Sequence, residues 1–266
     1  MTENNRTQPS ILVLEKCVRV LDCFTPDRPK LPISDIRKLT GLPSTTATRI
    51  VQTLVSSDLL QRDGDMYRLG LRVLAWTASA TAGSELIAAA KPVVENLRDL
   101  TGESSGVYIR RGIARVAVAV ELSRQSIIYQ ANVGQVMPVH AGSSGKVFMA
   151  FDPRALAAVL EQEAGGIPPA TIANRVRLQE ELAEIRERGW AYTQEEREKG
   201  LNSIAAPVYD HTGEIAATLS IGGPAFRLTP EAAREFGPLT AQFARGLSRR
   251  LGQPNDRSDI DDATTA

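Results

Sequence analysis

Residues 34–70 read SDIRKLTGLPSTTATRIVQTLVSSDLLQRDGDMYRLG. Ser34 stands where an N-cap would open a short helix, Ser34–Thr40, with Ile36 and Leu39 turned inward. Gly41-Leu42-Pro43 breaks the chain for three residues, and Ser44 is placed to cap the next helix. Along that helix Ala47, Ile50, Val51, Leu54 and Val55 fall on one apolar stripe, leaving hydroxyls, Arg49 and Gln52 on the other side. QRDGDMYRLG then gives two short extended pieces around Asp63-Gly64, a strong hairpin signal.

Upstream, Leu14, Cys17, Val18, Leu21 and Phe24 recur at helical spacing across Ile11–Phe24, and Pro26 and Pro29 close that helix. Three helices, a glycine-containing turn before the third, and a hairpin make the order of a winged helix-turn-helix. The third helix suits a DNA groove: small hydroxyl side chains let backbone approach phosphates, while Arg49 and Gln52 can reach base edges. The expected DNA contacts are Ser44, Thr45, Thr46, Thr48, Arg49 and Gln52, with Arg62, Tyr67 and Arg68 on the hairpin. The competing reading is a small helical domain whose third helix simply faces water.

The chain has 266 residues, 42% hydrophobic and 23% charged, enough for two cored domains. Net charge is zero, which by itself does not suggest nucleic acid; residues 1–75 hold 11 Lys/Arg against 8 Asp/Glu, a net of +3. So weak a charge implies that two copies act on one site, hence a palindromic operator. No apolar run is long enough to span a membrane, and MTENNRTQPS lacks a secretory signal's apolar core. Cys17 and Cys23 give no disulfide framework, and with His140 and His211 they form no metal cluster. A cytoplasmic location without cofactor or metal is therefore expected.

Residues 10–72 are assigned to the winged domain, 73–84 to a connector helix, 85–252 to a second domain, and 253–266 to a disordered acidic tail. After a helix over Glu85–Leu100, strands are predicted at Ser105–Arg110, Ile113–Glu121, Ser126–Gln130, Ile204–Tyr209 and Glu214–Gly222. Helices are predicted at Gly145–Phe151, Pro153–Glu161, Arg175–Arg188 and Pro230–Leu251. Hairpins interspersed with helices indicate an α+β antiparallel-sheet domain.

Three strings resemble enzyme motifs. Gly102-Glu103-Ser104-Ser105-Gly106 fits G-x-S-x-G, but a nucleophile elbow needs a strand before and a helix after, and here the order is reversed. Ser143-Ser144-Gly145-Lys146 fits S-x-x-K without its companion motifs, and Gly145-Lys146 lacks the rest of a phosphate loop. Gly142–Gly145 reads instead as a helix start whose free N–H groups could hold an anion, or as a plain turn and cap.

The ordered set PSTTATRIVQTL, YRLG, MPVHAGSSGKVFMAF, RERGWAYTQEEREKGLNSIAAPVYDHTGEIAATLSIGGPAFRLTPE and LSRRLG resembles the IclR family of bacterial transcriptional regulators, from about Leu12 to Leu251. The resemblance implies a GAF-like effector domain, homodimers or dimers of dimers, and control of catabolic operons, often as a repressor, by small organic acids. It implies effector contacts at Gly142, Ser143, Ser144, Gly145, Thr193, Ser203, Ser220 and Gly222. Many members carry Asp where Thr193 stands, Cys where Ser203 stands and Ser where Gly222 stands. Losing a carboxylate and gaining room at Gly222 suggests a bulkier effector, such as an aromatic acid. The alternative function is a hydrolytic enzyme with an accessory winged domain, against which stands the lack of any assembled nucleophile, base and orienter.

Overall fold

Proline, and not a capping side chain, starts two of the helices of the first unit. In the computed structural model, which describes residues 11–163 and 175–253, Pro32 and Pro43 are extended and deliver the chain directly into α2 (Ile33–Thr40) and α3 (Ser44–Ser56). Neither Ser34 nor Ser44 caps: each lies inside its helix, and no side-chain cap bond forms at either N-terminus. Gly41 takes the left-handed conformation at the end of α2 (φ 66°), which turns the chain into α3.

The chain divides into two compact units, one through Gly83 and the other from Ser84. In the first, α1 (Leu12–Leu21) joins α2 and α3 around Val20, Ile36, Ala47, Ile50, Val51, Leu54 and Leu60. α1 ends before the prolines, and Leu14 and Val18 of its expected stripe lie exposed, as does Leu39 of α2, whose place inside is taken by Thr40. The hairpin is β2 (Leu60–Asp63) and β3 (Met66–Leu69); β1 (Leu31–Pro32), too short to read from sequence, pairs with β3 to complete a three-stranded sheet. Gly70 ends the hairpin where a Cβ would collide with the Asp58 carbonyl, so the wing folds back tightly on the end of α3. α4 (Leu71–Ala82) follows as a helix that buries none of its residues.

In the second unit six strands form one antiparallel sheet in the order β6-β5-β4-β9-β8-β7. These are β4 (Ser104–Arg111), β5 (Ala114–Glu121), β6 (Val136–Pro138), β7 (Ala191–Gln194), β8 (Leu201–Tyr209) and β9 (Ile215–Pro224). Side chains alternate across the sheet. Ile204, Ala206 and Val208 of β8 and Leu219 and Ile221 of β9 join Ala90, Val94 and Leu97 of α5 (Glu85–Thr101) and Ala241, Ala244 and Leu247 of α9 (Pro230–Arg250). Val139, Val147, Phe148, Leu182, Ile185, Ala191 and Ala205 form a separate core with α6 (Ser143–Phe151), α7 (Pro153–Glu163) and α8 (Arg175–Arg188). The short edge strands β6 and β7 carry too few residues to announce themselves by pattern. Ser126–Gln130 is not a strand: that segment is tied by side chains of other elements, Ser104 Oγ donating to the Tyr129 carbonyl (2.7 Å) and Arg227 Nη2 to that of Ile127 (2.9 Å). Residues 254–266, most of the expected acidic tail, lie outside the described residues.

Candidate functional site

α3 divides sharply between its buried stripe and a solvent face. Ser44, Thr45, Thr48, Arg49 and Gln52 are exposed, and Thr46 is half-buried. Among the described residues neither Arg49 nor Gln52 has a side-chain hydrogen-bond or ion-pair partner, so both can be committed to an external ligand. On the hairpin Arg62 and Arg68 are exposed; Arg62 Nε donates to the Gly64 carbonyl (2.8 Å) and Arg68 Nη2 to Gln61 Oε1 (3.0 Å). Tyr67 is half-buried and packs in part against the helical core.

In the second unit, sheet register gathers the polar positions. Thr193 pairs with Ser203, Ser203 with Gly222, and Ala205 with Ser220, so residues distant in sequence fall in adjacent rows. They face away from the α5–α9 core because their neighbours Tyr192, Ile204, Leu219 and Ile221 face it. α6 brings its N-terminus onto this face. Gly145 makes that possible: a Cβ there would collide with the Val139 carbonyl. Gly142, Ser143, Ser144, Thr193, Ser203, Ser220 and Gly222 all line one small void of about 30 Å³, and Gly145 lies beside it as a packing position.

Ser203 is the hub of this wall. Its hydroxyl accepts from the Ser143 N–H (3.3 Å) and from Ser143 Oγ (2.8 Å), and lies 2.9 Å from Thr193 Oγ1. With both lone pairs used, the Ser203 proton must go to Thr193, which leaves the Thr193 hydroxyl proton for another acceptor. The Gly142 N–H is already bonded to Glu196 Oε2 (3.2 Å). Of the N–H groups of Gly142–Gly145 expected to receive an anion, those of Gly142 and Ser143 are therefore occupied from within.

The positive charge comes from residues that the sequence did not single out. Arg115 of β5 lines the void, 4% exposed, with Nη1 donating to the carbonyls of Pro138 and Ala141 (2.7 Å to the latter). Its Nε has no partner, and among the described residues no carboxylate pairs with it. Burial, reinforced by the like charge of Arg197, pulls its pKa down to about 10, so it remains a cation at neutral pH. Arg197 lies 4.5 Å over the Tyr129 ring and donates to its hydroxyl. Tyr108, buried beside Ser220, has its phenol pushed up to about 12 by burial and stays neutral. The ring of Tyr129 fills the room at Gly222: a Cβ there would sit 2.9 Å from its Cδ1. The space expected from the missing side chain is thus already taken.

The enzyme-like strings have structural work. Ser104 lies within β4 with its hydroxyl on a carbonyl, and Lys146 is buried in contact with both Glu181 and Glu196. Burial, with Arg115 nearby, holds His140 below its ordinary range, so it is neutral at pH 7. Among the described residues no His, Cys, Asp and Glu group could hold a metal ion, and no helix is long and apolar enough to cross a membrane.

Comparison with known proteins gives matches over nearly the whole chain. Residues 13–64 match the IclR helix-turn-helix domain, and residues 78–249 match the C-terminal domain of bacterial transcriptional regulators of the IclR type. The chain is 30% identical over 250 residues to the HTH-type transcriptional regulator XynR of Escherichia coli, covering 92% of this chain and 99% of that one. It is 28% identical over 249 residues to the HTH-type transcriptional repressor AllR of Klebsiella pneumoniae, with 92% of each covered. Among solved structures, an IclR homologue from Microbacterium hydrocarbonoxydans in complex with 4-hydroxybenzoate superposes with a TM-score of 0.76 at 27% identity, over 90% of this chain and 98% of that one. IclR of Thermotoga maritima gives 0.70 at 25% identity, over 90% and 98%.

Lys146 carries a test of how the void's wall is held. Its side chain is 3% exposed, between Glu181 at 30% and Glu196 at 19%. Lys146→Met keeps the volume but leaves two carboxylates facing each other, one of them anchoring Gly142. The loss should be about 2–3 kcal/mol, below the full cost of an orphaned buried charge because solvent reaches Glu181. Urea unfolding measures it, and adding Glu181→Gln should recover part of the loss. A change within about 0.5 kcal/mol, the range of an ordinary surface substitution, would show the cluster to be inert.

Proposed function

Since the chain belongs to the IclR family of bacterial transcriptional regulators, DNA-binding proteins and not enzymes, we propose that it is a cytoplasmic repressor of a catabolic operon that answers to a small organic acid. The observation that carries the sensing half is Arg115. A buried guanidinium with no carboxylate opposite is costly to maintain, and it lines a void walled by the hydroxyls of Ser143, Thr193, Ser203 and Ser220. A carboxylate there gains a charge-assisted bond to the guanidinium and a further donor in Thr193. Gly142, Ser143, Ser144 and Gly222 complete the wall, and Gly145 sets the position of α6. The repressor named among the relatives and the homologue bound to 4-hydroxybenzoate support this direction.

DNA is bound through Ser44, Thr45, Thr46, Thr48, Arg49 and Gln52 of α3 in the major groove, with Arg62, Tyr67 and Arg68 on the backbone beside it. The winged domain is assigned to 10–72, the connector to 73–84 and the effector domain to 85–252, beside a helix observed at Leu71–Ala82 and a division of the chain after Gly83. Two copies act together on a palindromic operator, as a homodimer or dimer of dimers. The apolar surface of the first unit supports a second copy: Leu71, Leu74 and Trp76 of α4 and Leu12, Leu14 and Val18 of α1 are all more than half exposed. On each of these helices, large apolar side chains left in water favour a contact surface.

Three measurements test the reading. Arg49→Ala should weaken binding to DNA fragments selected by the protein by about 1–3 kcal/mol while leaving the fold intact. Unchanged affinity at physiological salt removes α3 from the interface. Light scattering should give two or four protomers per particle, and a strict monomer contradicts the paired assembly. Arg115→Gln should lose calorimetric binding of carboxylates by about tenfold or more, as for a charge-assisted hydrogen bond replaced by a neutral one. Equal binding by both proteins refutes the assignment of Arg115.

A further inference from the structure

The void of about 30 Å³ has room for a water or two beside Arg115 and none for an aromatic ring. If an acid with a ring enters, something on the wall must leave. Thr193, Ser203, Ser220 and Gly222 belong to paired strands, and Ser143 is fastened to Ser203 at the start of α6. Tyr129 is different. It stands, half-buried, between β5 and β6 on a stretch that is neither helix nor strand, and it lines the void.

That ring is held on two sides. Its Cδ1 lies 2.9 Å from where a Cβ on Gly222 would stand, so it rests directly on the backbone of β9. The Arg197 guanidinium lies 4.5 Å from its centroid. Its backbone carbonyl is tied to Ser104 and the nearby carbonyl of Ile127 to Arg227, so the ring can depart by side-chain rotation without unfastening the segment. Departure would leave a ring-sized slot beside Gly222 and beneath the Arg197 guanidinium, with Arg115 lining the same space. A planar ring bearing one carboxylate matches both parts. The ring restores the stack under Arg197, and the carboxylate meets the uncompensated charge of Arg115. An acid without a ring satisfies Arg115 but leaves the slot to Tyr129.

We propose that Tyr129 is the pocket's own occupant, holding the place of the effector's ring, and that the pocket selects aromatic monocarboxylates by exchange of rings beneath Arg197. This rests on the reading of the void as the acid-binding site. Tyr129 is then a specificity-determining residue: an acid that takes the place of its ring gains the stack under Arg197, and a ring-less acid does not.

Calorimetry on the full chain tests it, with benzoate as the ringed probe and pyruvate as the ring-less one. Removing a competing occupant removes the reduction in apparent affinity that it imposes. Tyr129→Ala should therefore bind benzoate about tenfold tighter than the unaltered protein, while the Kd for pyruvate moves less than about threefold. Tyr129→Phe, which keeps the ring but not the hydroxyl held by Arg197, should fall between them for benzoate. Weaker benzoate binding by Tyr129→Ala overturns the proposal, since Tyr129 would then be a contact and not a competitor. An equal gain for both acids also overturns it, because the substitution would only have made space. If pyruvate binds in an Arg115-dependent way and benzoate binds neither protein, ring exchange fails and the acid-binding reading stands. If neither acid binds either protein, both fail.

Discussion

Arg115 projects from β5 into the space between the sheet and α6, and its guanidinium is buried there with two backbone carbonyls as acceptors and no carboxylate opposite. Interiors rarely keep such a charge unless something else uses it, since an apolar residue of similar size usually costs less. The neighbouring ionic groups are otherwise committed: Lys146 to Glu181 and Glu196, and Arg227 to Glu103 through two bonds of 2.6 and 2.8 Å. Glu196 lines the same void but does not neutralise Arg115, because its two oxygens serve Lys146 and the Gly142 N–H. The positive character of the void therefore follows from how the nearby charges are already paired.

The surrounding architecture keeps that arrangement dry and in place. Alternation along β7, β8 and β9 turns one face to an apolar core with α5 and α9 and the other to hydroxyls. Gly145 lets α6 approach Val139 closely enough for Ser143 to reach Ser203. Much of the wall is held by sheet register and buried ion pairs, while the Tyr129 ring is held by its stack under Arg197 and by the Arg197 hydrogen bond to its hydroxyl. Paired strands beside a ring held only by its own side-chain contacts give a site in which ligand entry has a defined structural consequence.

Much of this was legible in the sequence. The periodicity of Ala47, Ile50, Val51 and Leu54, with Gly41 and Asp63-Gly64, was enough for the winged helix-turn-helix, because each signal is local. The hydroxyl wall was reached only through resemblance to the family, since Thr193, Ser203 and Ser220 are brought together by strand register, which no local pattern reports. Arg115 looked like one arginine among many in an alternating strand; its burial depends on α6 packing over it. Tyr129 was placed in a strand that does not form, because the ties from Ser104 and Arg227 come from distant parts of the chain. The room inferred at Gly222 was real in the backbone, but it had been filled from a separate segment. Caps were misplaced by two residues at α2 and by one at α3, where an extended proline supplies the entry that a serine was expected to provide.

The central claim is that occupation of the void alters the grip on DNA. It is tested most directly by operator affinity of the full-length protein, measured by fluorescence anisotropy with and without an acid at a concentration that saturates calorimetric binding. A coupling of typical size would shift the operator Kd by roughly 5–150-fold. An operator Kd that does not change while the void is saturated would contradict the account, leaving a DNA-binding protein with a pocket that its DNA-binding unit does not sense.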